Sequence, residues 1–215
     1  MMASTHRLGG LAAGIALSIA LAHKPEEAIL ITDLSILGSL LPDIDNGNSS
    51  ISCKLPLTRL VVAIGQSTIR FICHFLPKKL SKPILCSIGH RGFSHSILGI
   101  VFFFFLTAGI CRSIGVEKHI TMLASSAVSA GVTSHIVLDM LSGGSPLFCP
   151  VSTIRITLAH IKTGGVMEWV FRMVFLAVIV CRIAFIALSY INEIVAEYLS
   201  PYILQVTRFF QNLTF

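Results

Sequence analysis

The strongest constraint on the fold is an apolar run, residues 97–106, in which ten successive residues carry no polar side chain. Such a run is costly to expose to water, so it must be buried in a protein core or in a lipid bilayer. Only 12% of the 215 residues are charged, whereas 54% are hydrophobic. Since roughly a quarter of the residues of a soluble domain are charged, the composition indicates a membrane protein.

Apolar segments with proline or glycine at their ends predict an all-α fold, a multi-pass helical membrane protein. We expect about four or five membrane helices, within about 7–23, 26–41, 94–111, 119–141 and 166–191. The first is expected to remain uncleaved and to form a hairpin with the second. Ser94 is the expected N-cap of the third. Residues 56–76 and the tail 192–215 are amphipathic, which is typical of helices that lie at the membrane interface.

Basic residues between positions 46 and 91 predict the orientation in the membrane, because this segment has no acidic residue. Its seven basic residues are Lys54, Arg59, Arg70, Lys78, Lys79, Lys82 and Arg91. Lys and Arg favour the cytoplasmic side, so we expect a cytoplasmic loop that contacts anionic lipid head groups. Nucleic acid is not expected there, and the oligomeric state stays open. We predict a membrane domain over 1–155 and a C-terminal helix with its tail over 156–215, in one structural unit.

Four short polar motifs lie at the ends of the predicted membrane helices, at residues 5–6, 40–45, 90–96 and 135–139. Two helical hairpins would bring all four to the same cytoplasmic end. His135 and Asp139 are four residues apart, hence on one helical face. Asp43 and Asp45 alternate in what we expect to be an extended turn, so both carboxylates can point the same way. Ionisable groups at membrane depth are costly and usually functional.

Imidazole and carboxylate side chains in these motifs make a candidate set of metal ligands. The set is His6, Asp43, Asp45, His90, His95, His135 and Asp139. It suits Zn²⁺, with Mn²⁺ or Fe²⁺ as alternatives, and is large enough for two ions. Taken singly, each residue has a simpler interpretation: a residue at a helix start, a cap of a turn, or a polar contact between membrane helices.

The same motifs resemble the YdjM-type family of bacterial inner-membrane-associated proteins, which are classed as metal-dependent hydrolases. The similarity covers residues 1–155 and includes the segment 144–150 after the last motif. Two departures are the serine at Ser94, where the family more often has threonine, and a longer insertion between Asp45 and His90. The family's distant similarity to zinc-dependent phospholipase C and single-strand nucleases implies phosphoester hydrolysis.

The expected function is therefore a membrane-bound, metal-dependent hydrolase of the bacterial inner membrane, with its site facing the cytoplasm. The substrate would be a phosphoester of the lipid-phosphate kind, attacked by a metal-activated water. Asp43 or Asp45 would bridge the metals or act as base, and Arg91 would hold the phosphate as a fork-shaped donor. The alternative is a non-enzymatic membrane protein in which a structural His/Asp metal cluster organises the membrane or tethers a cytoplasmic partner.

Overall fold

The computed structural model describes the backbone of residues 1–45, 56–88 and 91–213, and most of their side chains. The side chains of residues 45, 56–59, 86, 185, 189, 193 and 203–213 are outside the description. Within the described ranges the protein is helical and has no strand, only an isolated bridge between Ser145 and Ile156. The predicted all-α fold is confirmed.

Seven α-helices and two short 3-10 helices follow one another along the described chain. In order they are α1 (Ala3–Leu21), α2 (Pro25–Gly38), the first 3-10 helix (Leu41–Asp45), α3 (Pro56–His74), α4 (Lys78–Ser87), the second 3-10 helix (Phe93–His95), α5 (Ile97–Ser113), α6 (Lys118–Ser142) and α7 (Val166–Leu213). Prolines Pro25 and Pro56 occupy first positions of helices, where a missing N–H costs nothing.

Two of these helices are long and apolar enough to cross a membrane by length and composition: α6, and α7 over the range Val166–Tyr202. Helix α5 and residues Leu60–His74 are shorter apolar helices. The expected four or five membrane helices thus stay a prediction. The described chain forms two compact units, Met1–Phe175 and Leu176–Phe215. The candidate ligands all belong to the first unit.

The start of α5 differs from its prediction. Ser96, not Ser94, is the N-cap, and its hydroxyl accepts the N–H of Gly99 at 3.1 Å. Ser94 belongs instead to the second 3-10 helix. At this start of α5 the N–H of Ile97, which has no partner within the helix, donates to the carbonyl of Leu147 in a distant loop at 3.0 Å.

The end of α7 also differs from its prediction. We expected a membrane helix to end near residue 191 and a separate amphipathic tail to follow. One continuous helix runs instead to Leu213, with Pro201 inside it. Polar residues after position 191 lower the local hydropathy, but exposed polar side chains do not stop a helix.

Helix α6 is the centre of the first unit, since it packs against α1, α2 and α5. Val128, Val132 and Ile136 of α6 are buried against Phe103 of α5. On a neighbouring part of α6, Leu123 and Ala127 pack with the fully buried Ile31 of α2. Because three helices surround α6, His135 and Asp139 on its last two turns are also buried.

Helices α2 and α6 come unusually close at Gly131. A Cβ atom at this position would collide with the carbonyl oxygen of Ser35 and lie 2.7 Å from the backbone nitrogen of Ser39. Small residues at such crossings let helix backbones approach each other. The close crossing brings Ser39, just after α2, to the last turns of α6.

Candidate metal centre

His135 and Asp139, one turn apart on α6, form the floor of the candidate site. Both are buried, with relative exposures of 0% and 2%. The Nδ1–H of His135 donates to the carbonyl oxygen of Ser39 at 2.6 Å. A carbonyl only accepts, so this bond fixes the tautomer and leaves a lone pair on Nε2 of the neutral ring. Metal-binding histidines are commonly oriented by a bond of this kind.

Asp43 and His95 approach the same point from the two 3-10 helices. Nε2 of His135 lies 3.6 Å from Oδ1 of Asp43 and 3.7 Å from Oδ2 of Asp139. Nε2 of His95 lies 3.7 Å and 3.4 Å from the same two oxygens. In a tetrahedron with metal–ligand bonds of about 2.1 Å, neighbouring ligands are about 3.4 Å apart. The four imidazole–carboxylate distances therefore match the spacing between neighbouring ligands of a zinc ion.

His6, from the first turn of α1, adds a fifth donor to the cluster. Its ring stacks on that of His135 with centroids 3.8 Å apart, and its Nε2 lies 3.6 Å from Oδ1 of Asp139. Asp139 thus presents one oxygen to His6 and the other to His95 and His135. Two overlapping ligand groups result: His6 with His135 and Asp139, and Asp43 with His95 and His135. A bridging Asp139 would allow either one ion or two.

The electrostatics of the cluster favour a bound cation. Burial lowers the pKa of His6 to about 3, so its imidazole is neutral at physiological pH. Burial alone would raise the pKa of Asp43, but His95 and the other imidazoles outweigh this effect and hold it below its ordinary value. Among the described residues, Nδ1 of His6 and Nε2 of His135 have no hydrogen-bond partner. A neutral His6, an ionised Asp43 and buried imidazole nitrogens without partners are suited to ligating a metal ion.

Arg91 lies at the edge of this cluster. It has a left-handed backbone with φ of 58°. Its Nη2 donates to Oδ1 of Asp139 at 2.9 Å, and its Nη1 donates to the carbonyl of Gly144 at 3.3 Å. A Cβ atom at Gly143 would lie 2.5 Å from Nη1, so the missing side chain there makes room for the guanidinium. The arginine is therefore anchored to a candidate ligand, and its predicted role in holding phosphate stays a prediction.

Two other predicted site residues cannot be placed in the cluster. His90 and the side chain of Asp45 lie outside the described residues. The extended turn that we expected around Asp43 is wrong, because Leu41–Asp45 is a 3-10 helix. With three residues per turn, side chains two positions apart point in different directions. The reasoning that aligned Asp43 with Asp45 therefore does not apply.

Glu168 was missed by the sequence reasoning. It is fully buried near the start of α7, where it accepts hydrogen bonds from the Thr5 hydroxyl at 2.5 Å and the Met2 N–H at 2.6 Å. Arg172 donates to the same Thr5 hydroxyl at 2.8 Å. These bonds hold the turn of α1 that carries His6. The signal was available, since Glu168 is the sole acidic residue between positions 166 and 191.

Comparison with known proteins identifies the family to which the chain belongs. Residues 1–202 match the family model of the YdjM inner membrane protein. The uncharacterized protein YvsG of Bacillus subtilis is 30% identical over 170 residues, which cover 78% of this chain and 85% of YvsG. The inner membrane protein YdjM of Escherichia coli is 33% identical over 121 residues, which cover 56% of this chain and 49% of that protein. No solved structure matches the chain. The chain thus belongs to the YdjM family of inner membrane proteins.

Proposed function

We propose that this protein is a metal-dependent phosphoester hydrolase of the bacterial inner membrane. The observation that carries the proposal is the meeting of five imidazole and carboxylate donors from four separate chain segments at metal-ligand spacing. A cation bound among these carboxylates and imidazoles would offset part of the cost of their burial. Mixed nitrogen and oxygen ligands suit Zn²⁺ best, with Mn²⁺ or Fe²⁺ as alternatives.

The residues of the site would have different roles in hydrolysis. His95, His135 and Asp43 would hold one ion, and His6 and Asp139, which with His135 form the other ligand group, would complete the centre or hold a second. When bound, the metal would supply Lewis acidity and lower the pKa of a water molecule.

Asp43 is the candidate for the group that takes the proton from this water. Its side chain is 26% exposed, against 3% or less for the other four donors. Water and substrate would therefore reach the centre past Asp43. Its pKa, held below the ordinary value by the neighbouring imidazoles, keeps the carboxylate ionised, so that it can accept a hydrogen bond from this water.

Arg91 would bind the phosphate group of the substrate. A guanidinium has five N–H donors, and the contacts to Asp139 and Gly144 use two of them. The remaining donors lie beside the candidate metal ligands, where a phosphate oxygen could receive a charge-assisted bond. An inner-membrane protein meets phospholipids first, so we propose a lipid-phosphate substrate and a site that faces the cytoplasm.

The alternative is a structural metal centre in a non-enzymatic membrane protein. The burial of His6, His95, His135 and Asp139 favours this alternative, since a structural zinc site is closed by four protein ligands. The two functions differ in the number of coordination positions left for water. X-ray absorption of the zinc-loaded protein would count the ligands: only protein donors indicate a structural site, and an additional oxygen indicates a catalytic one.

The first test is the metal content of detergent-purified protein, measured by mass spectrometry. We expect one or two zinc ions per chain in the wild type and in the His160→Ala control, since His160 is exposed and outside the cluster. His95→Ala and Asp139→Ala should each lose zinc. Full-length protein would then be assayed on short-chain phosphatidic acid. Zinc-free wild type would refute the metal centre, and zinc-loaded but inactive protein on a broad set of phosphoesters would favour the structural alternative.

A further inference from the structure

Helix α3 has one apolar side and one polar side, and the apolar side is exposed. At 100° per residue, five apolar residues fall within a 120° arc. They are Leu60, Val61, Ile64, Phe71 and Ile72, and each is more than half exposed. Among the described side chains of α3, only Cys73 is buried. An apolar strip of this length is unfavourable in water and requires a covering surface.

Positive charge accompanies the apolar strip. Arg70 lies on the opposite side of α3 and His74 lies beside the edge of the strip, and the exposed lysines Lys78, Lys79 and Lys82 follow on α4. Acidic residues are absent from the whole sequence between positions 46 and 91. An apolar face bordered by basic side chains is the pattern of a helix that lies in the head-group layer of an anionic membrane.

The same two helices adjoin the candidate metal centre. Helix α3 contacts the first 3-10 helix, which carries Asp43, and α4 contacts the second, which carries His95. Whatever covers α3 and α4 is therefore close to both segments. A membrane surface at this place would hold the centre at the depth of the lipid head groups.

We infer that α3 and α4 form a docking surface for anionic lipid, with the apolar arc of α3 among the upper acyl chains and the basic residues at the phosphates. This inference does not depend on hydrolase activity. An inner-membrane protein is in contact with a lipid bilayer, so the proposed ligand is available to it. A second copy of the chain would place lysines against lysines, and a nucleic acid would leave the apolar arc in water, so neither accounts for both sides of α3.

The test places a fluorescent probe on each side of α3 in the full-length protein. The chain has one tryptophan, Trp169, which is replaced by phenylalanine. A new tryptophan is then introduced by Ile72→Trp on the apolar arc or by Ala63→Trp. Positions 63 and 72 are nine residues apart and so lie on opposite sides of the helix. Each variant is reconstituted in phosphatidylcholine bilayers with brominated acyl chains, with or without phosphatidylglycerol.

We expect bromine to quench the tryptophan of Ile72→Trp but not that of Ala63→Trp, and to do so more strongly with phosphatidylglycerol. Replacing Lys78, Lys79 and Lys82 by glutamate should weaken the quenching. For each positive charge removed, the ratio of membrane-inserted to withdrawn α3 should fall by about fivefold. High salt should act in the same direction. Equal quenching at both positions, or none at either, would overturn the docking surface. Quenching that is indifferent to phosphatidylglycerol would overturn its anionic selectivity.

The zinc content of the same samples is also measured, so that failure of the docking surface can be distinguished from failure of the metal centre. The three lysines are exposed and none of them is a candidate ligand, so the lysine variants should retain metal. A protein that lacks zinc but still quenches at position 72 would refute the metal centre alone, whereas zinc-loaded protein without quenching would refute the docking surface alone.

Discussion

Replacement of Gly131 by alanine should damage both the fold and the metal centre. The new Cβ would collide with the Ser35 carbonyl oxygen where α2 and α6 cross. Restoring van der Waals contact requires the two helices to separate by roughly 1 Å. The bond from His135 to Ser39, now 2.6 Å, would lengthen to about 3.6 Å, beyond the hydrogen-bonding range.

The expected loss of stability follows from three contributions. Overpacking of a tight contact costs about 1–3 kcal/mol. Loss of the His135 hydrogen bond costs about 0.5–1.5 kcal/mol. Alanine returns about 1 kcal/mol through its better helix propensity. The free energy of unfolding should thus fall by about 0.5–3.5 kcal/mol, and zinc affinity by about 10–100-fold, because the bond that orients a ligand is lost.

Gly109→Ala is the matched control. Gly109 also lies within a helix, and a Cβ there would meet nothing within 4 Å among the described atoms. The control should be as stable as the wild type or up to about 1 kcal/mol more stable, with unchanged zinc. Both variants would be unfolded reversibly in mixed detergent and titrated with zinc. If Gly131→Ala matches Gly109→Ala in both measurements, the close crossing does not position His135.

Three further predictions concern other parts of the site. Glu168→Ala should lower the free energy of unfolding by about 1–3 kcal/mol, since buried donors lose their acceptor, and a thermal melt that matches wild type would contradict this role. Acidification should destabilise the metal-free protein: below about pH 6.5 the unfolded chain protonates its histidine, whereas folded His6 resists until about pH 3. The lowered pKa of Asp43 adds a further loss of stability below about pH 4, the ordinary pKa of an aspartate. His6→Asn should remove the loss of stability that begins near pH 6.5, as measured by the free energy of unfolding at different pH values. Ser96→Ala should cost about 0.5–2 kcal/mol and Ser94→Ala less, because only Ser96 caps α5; equal losses in denaturant melts would argue against that assignment.

The helices could be predicted from the sequence because their signals are local. Apolar periodicity and proline positions gave α1, α2, α3 and α6 to within a few residues. The pairing of His135 with Asp139 was equally accessible, since a spacing of four needs only helical geometry. Local rules were sufficient wherever the structure depends on neighbours in the chain.

Contacts between distant segments were beyond such rules. The acceptor of His135 is a backbone carbonyl, at Ser39, which no residue type reveals. The first N–H of α5 has its acceptor at Leu147, some fifty residues away from the helix start. Arg91 was chosen for its charge, but its attachment to Asp139 follows from a left-handed backbone and an adjacent glycine. The residues of the candidate site could therefore be predicted from the sequence more readily than the groups to which they are hydrogen-bonded.

The ion pair between Arg91 and Asp139 has a consequence for how the protein matures. Many small metal proteins stay unfolded until the ion arrives, because the free energy of metal binding drives their folding. Here a guanidinium already places positive charge on the central carboxylate, 2.9 Å from Oδ1. Packing of the helices around Asp139 would therefore not depend on a bound ion. Loading and loss of an ion at this candidate centre would then be late, reversible events on a finished scaffold.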